Sequence, residues 1–102
     1  MHPAELKVNA AIDACRPLLT DEEYNLVSEW NIRHGEYGLA IETLADILGE
    51  NESKAPASQL ALIAEAFAVM GIEPGRRFQY LCELSGLAGN DGACTPPTSR
   101  RK

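Results

Sequence analysis

The chain has 102 residues with nine Lys or Arg against fifteen Asp or Glu, a formal charge of -6 and a pI near 4.8. That length suits one small domain, which buries about two-thirds of its unfolded surface and needs no metal, cofactor or disulfide staple to fold. The acidic balance argues against nucleic acid as a direct partner, because phosphate binding needs clustered Lys and Arg.

At the start, Met1 to Lys7 carries no basic stretch followed by an apolar one, so no secretory signal is expected. Pro3 suits a first-turn position, and Leu6, Ala10, Ile12, Ala14 and Leu18 supply an apolar surface for a first helix over 3–15, closed by Pro17. Thr20-Asp21-Glu22-Glu23 has the form of a capping box, so a second helix begins at Asp21. At 100° per residue Tyr24, Val27, Trp30 and His34 share one face, while Asp21, Asn25, Ser28, Glu29 and Ile32 fall opposite. Gly35 then supplies the residue that most readily takes positive φ after a helix.

A third helix over 37–48 groups Tyr37, Ala40, Ile41, Leu44, Ala45, Ile47 and Leu48 on one side, with Leu39, Glu42, Thr43 and Asp46 on the other. Gly49 and the polar residues after it break the pattern. A fourth helix over 58–70 is apolar nearly all round apart from Glu65, which suits the centre of a bundle. The longest apolar window, 60–72, is still well short of the roughly 20 residues of a membrane span. Gly71 and Pro74 mark a stop and a new start, and Phe78, Leu81, Cys82 and Leu84 define a fifth helix over 74–85, ended by Gly86. Beyond Leu87 the composition turns to Gly, Asn, Pro, Thr, Ser and Arg. The expected fold class is therefore all-α, a compact single-domain bundle of about five short helices over 1–88, with a disordered tail over 89–102.

The chemistry of catalysis has few candidates. Only His2 and His34 are present; His2 is expected at a frayed end and His34 in a structural position beside a helix C-terminus. No serine lies in a nucleophile-elbow setting. Cys15, Cys82 and Cys94 are odd in number and widely spaced, which argues against a zinc site or disulfide framework and makes reduced thiols the expectation. No enzyme activity, cofactor or metal is expected. The location expected from these features is the cytoplasm.

Charge is the informative feature. Residues 20–52 hold nine acids against one base, Arg33. Two readings fit: a solvated charged face, or a surface that binds a basic partner. Ile32 and Leu39 project among the acidic residues, either as scattered exposed apolar groups or as anchors inside an acidic rim. Arg76 and Arg77 are expected to be solvent exposed, and the terminal Arg100, Arg101 and Lys102 to serve solubility.

The run Leu19-Thr20-Asp21-Glu22-Glu23, then Gly35-Glu36-Tyr37-Gly38-Leu39-Ala40-Ile41-Glu42-Thr43-Leu44, then Ile47-Leu48, and a further helix ending near Met70-Gly71-Ile72, resembles the MafI-type immunity proteins of bacterial polymorphic-toxin and contact-dependent growth inhibition systems. The similarity covers roughly residues 18–84. It implies an antidote that binds the C-terminal domain of a cognate toxin, often a basic nuclease, and it offers no catalytic residues. Its Gly-Glu-Tyr-Gly stretch is expected to preserve a helix junction more than a toxin contact. The residues expected to bind the toxin are Glu22, Glu29, Glu42 and Asp46 as steering charges, with Ile32 and Leu39 as apolar contacts. Neither nucleic acid nor a membrane is expected as a direct partner. The alternative is a helical adaptor or regulatory subunit acting through an apolar groove.

Overall fold

The computed structural model describes residues 2–86, apart from the side chain of Ile32. Five α-helices are present among them: α1 (Pro3–Ala14), α2 (Asp21–Ser28), α3 (Tyr37–Glu50), α4 (Ala57–Val69) and α5 (Gly75–Leu84). The described residues contain no strand, so the chain is all-α. The tail expected over 89–102 lies outside the described residues.

Helix starts follow local chemistry. The Glu23 amide donates to Thr20 Oγ1 at 3.1 Å and the Thr20 amide donates to Glu23 Oε1 at 2.9 Å, which completes the expected capping box of α2. At α1 the Nδ1 of His2 accepts from the Ala4 amide at 3.0 Å, and the His2 ring lies 5.1 Å from that of Tyr37. His2 is thus a cap tied to α3, where sequence alone suggested a frayed end. Proximity in space to Tyr37 is the missing term.

The second helix departs from its expected course. After Ser28 the chain widens into a π-helical turn over Glu29–Arg33, with the His34 amide donating to the Glu29 carbonyl at 3.2 Å. The extra residue in this turn advances the chain relative to a regular 100° projection. Asn31 is carried inside, fully buried, and its Nδ2 donates to the Glu5 carbonyl of α1 at 3.3 Å. Gly35 follows at φ 65, so the expected glycine stop holds. The next glycine, Gly38, lies so close to α4's exit that an added Cβ would stand 3.2 Å from Ile72 Cδ1. Both glycines of the Gly-Glu-Tyr-Gly stretch therefore have structural work at this junction.

The core gathers Val8, Ala11 and Ile12 of α1, Val27 of α2, Ile41, Leu44 and Leu48 of α3, Leu60, Ile63 and Phe67 of α4, and Phe78 and Leu81 of α5. Trp30 and Tyr37 pack half-buried against it. α3, rather than the apolar α4, is the hub: it packs on α1, α2, α4 and α5, while α4 lies mainly along α1. Both helices bury large side chains, Ile41, Leu44 and Leu48 on α3 and Leu60, Ile63 and Phe67 on α4, but Ala68 and Val69 at the end of α4 remain exposed.

Cys15 is a free, fully buried thiol, and burial raises its pKa to about 11. Cys82 is also buried but is disulfide-bonded, which corrects the expectation of a reduced thiol at that position, while Cys15 keeps it. Spacing along the chain does not fix which sulfurs meet in space.

Candidate protein-binding surface

Among the described residues no helix is long and apolar enough to cross a membrane, and no group of three or more His, Cys, Asp or Glu is arranged to hold a metal ion. The acidic side chains are the feature to locate. Those of the acidic run that lie on helices fall into two sets, one on α2 and its π turn and one on α3.

The first set belongs to α2 and its π turn. Glu23 is committed to the capping box and also accepts from Asn51 Nδ2 at 3.3 Å, so the start of α2 sits beside the end of α3. The Thr20 backbone bond, followed by the Asn51 contact, holds the Glu23 carboxyl below its ordinary pKa. Glu22 is exposed and has no ion pair or side-chain hydrogen bond within the described residues. Glu29 is exposed beside Arg33 at 3.9 Å and His34 at 3.7 Å, and the His34 ring lies 5.2 Å from Trp30. These are surface contacts, with little energy in any one of them.

The second set runs along α3. Leu39, Glu42, Asp46 and Glu50 fall within an arc of about 80° at helical spacing. Leu39 is 41% exposed, so it stands at the surface of this stripe. Glu42 and Asp46 share one guanidinium from α5: Arg77 Nε donates to Asp46 Oδ1 at 2.9 Å, and Arg77 Nη1 lies 3.6 Å from Glu42 Oε2. Arg76 and Arg77 are both exposed as expected, yet Arg77 is a bridge between helices rather than a free cation. A helical period places residues on one face of one helix but does not say which helix lies opposite. The pairing of Arg77 with Glu42 and Asp46 could not be read from it.

Of the expected toxin-binding residues, the structure brings Leu39, Glu42 and Asp46 together on α3. Glu22 and Glu29 lie on α2 and its π turn, and no hydrogen bond or ion pair among the described residues joins them to the α3 group. The side chain of Ile32 lies outside what is described. Sequence reasoning did not single out the cleft between α3 and α5, about 310 Å³ and lined by Ala45, Asp46, Gly49, Glu50, Arg77 and Tyr80. Its only sequence signal is Gly49, a residue placed inside a helix that continues to Glu50. A Cβ there would stand 3.3 Å from Tyr80 Cδ2, so the bare glycine lets the two helices and the ring approach.

The described residues form an all-α five-helix protein with exposed carboxylates on α2 and α3 among others. Comparison of the chain with known protein families, with characterised proteins and with solved structures gives no match.

Proposed function

We propose that this chain is an immunity protein that binds and neutralises the C-terminal domain of a cognate bacterial toxin, a basic nuclease, inside the cell that makes both. The observation that carries this reading is the concentration of nine acidic residues against one basic residue over 20–52. The resemblance of residues 18–84 to MafI-type immunity proteins points the same way. A nuclease that grips a polyanion presents a basic groove, and an opposed acidic surface accelerates encounter and suppresses wrong partners.

Glu22, Glu29 and Glu50 are among the exposed carboxylates that lack a strong internal cation, and they supply the steering field. Glu42 and Asp46 remain in it, partly neutralised by Arg77. Leu39 provides an apolar contact within the rim. Affinity depends on such desolvated contacts more than on the number of rim charges. The helical adaptor remains the competing reading, supported by exposed Leu6, Leu26, Leu39, Val69 and Tyr80.

The test is co-expression with the product of the neighbouring upstream reading frame. Tolerance of a toxic C-terminal fragment, with one-to-one copurification, is the expected result. Absence of a toxic product or of rescue would move the assignment to the adaptor.

A further inference from the structure

We infer that the outer face of α1 and α4 is an interface, and that its occupant is a second copy of this chain. The fourth helix is apolar nearly all round, with Glu65 its only charged residue. It buries one side, Leu60, Ile63, Ala66 and Phe67, and packs on α1, α3 and α5. On the other side Ala68 and Val69 are exposed and Ala61 is half-buried. The face continues onto α1. Leu6 and Ala10 there stand roughly opposite the buried Ala4, Val8 and Ala11 at helical spacing, and Leu6, 54% exposed, is the most exposed large apolar residue among those described. Covering such a face takes apolar surface out of water.

Charge decides which occupant fits. Lys7 and Glu65 lie 3.0 Å apart on this face and cancel, while Asp13, further along α1, is held by the Tyr24 hydroxyl. A basic protein finds little net charge here to draw it. For a second copy, itself carrying a charge of -6, the acidic run on α2 and α3 is a repulsive approach and the α1–α4 face a tolerant one. The two helices run antiparallel, because the start of α1 and the exit of α4 both meet the start of α3, at Tyr37 and Gly38. A two-fold axis between and along them sets each Lys7 over the partner's Glu65, and each Leu6 near the partner's Val69. An axis across the helices would instead set like charges together, so the ion pair selects the first arrangement. The face is about 20 Å long and two helices wide, on the order of 400 Å² per copy. The total of about 800 Å² falls below the roughly 1,200 Å² of stable complexes, so the dimer is weak and reversible, with a dissociation constant above about 10 μM.

This inference does not depend on the proposed function, and its test needs no toxin. In sedimentation equilibrium of the full chain from about 10 to 1,000 μM, the weight-average mass should rise from 11.1 kDa towards twice that value. Lys7→Glu and Glu65→Lys each set like charges against each other across the axis, and each should weaken association by about tenfold. Both positions are exposed, so helicity by circular dichroism should be unchanged in either variant. An equimolar mixture of the two brings opposite charges together again and should associate at least as well as the wild type. A mass that stays at 11.1 kDa at every concentration would overturn the proposal and leave the face to a different occupant. Association of both single variants at the wild-type level, or no recovery in the mixture, would overturn it by placing the contact elsewhere.

Discussion

The carboxylates at the start of α2 and those along α3 are the same chemical groups put to different uses. Glu23 is held by its own helix, through backbone and side-chain bonds to Thr20 three residues away. Glu42 and Asp46 are held by Arg77, more than thirty residues further along the chain. The first arrangement follows from local geometry and forms whenever the helix forms. The second exists only once α5 has docked on α3. An acidic run in a sequence is therefore not a uniform surface: part of it builds helix ends, part joins helices, and the remainder is free to meet a partner.

The comparison breaks most completely if the platform under both sets is removed. Leu44 is fully buried in α3, the hub on which α2 and α5 pack, and Leu44→Ala should destabilise the protein by about 2–5 kcal/mol in chemical denaturation. A smaller effect isolates the local set. Thr20→Ala deletes the side-chain half of the capping box and should cost about 1 kcal/mol, with the Arg77 contacts unchanged.

The tertiary set is probed by Arg77→Met. Exposed ion pairs contribute roughly 0–1 kcal/mol, so stability should fall by less than in Thr20→Ala. Binding should respond in the opposite direction. Two carboxylates lose their internal cation, and association with a basic partner should quicken, most visibly at low salt. A slower association in this variant would show that Arg77 orders the surface more than it neutralises it.

The smallest expected effect is on pH dependence. Because the folded-state pKa of Glu23 is lowered, its contribution is present above the ordinary carboxylate range and is lost as pH falls through the lowered value. Wild type should exceed Glu23→Gln in thermal midpoint near neutrality, and the gap should close only in strongly acidic solution. A gap that persists there would remove the charged form of Glu23 as its cause.

Much of the fold was legible because its signals are local. Thr20 with Glu23 marks the start of α2, Gly35 the stop after the π turn that follows it, and the apolar periodicity of Ile41, Leu44 and Leu48 the buried face of α3. The readings that needed correction or completion involve distant partners: His2 against Tyr37, Asn31 reaching Glu5, Arg77 bridging Glu42 and Asp46. The π turn also escaped detection, since nothing in Glu29 to Arg33 distinguishes a five-residue ring from an α-helical one until Asn31 has a buried acceptor to reach. For the surface, the stripe of Leu39, Glu42 and Asp46 was readable from one helix alone. The cleft beside it was not, because its second wall comes from α5.

The most direct test of the proposed role is the association rate of the purified complex across ionic strength from about 0.01 to 0.5 M, over which the screening length falls from about 30 Å to a few ångströms. Steering by the exposed carboxylates predicts a rate that drops steeply over this range while dissociation changes little. A rate independent of salt would contradict it and assign the interface to the exposed apolar residues.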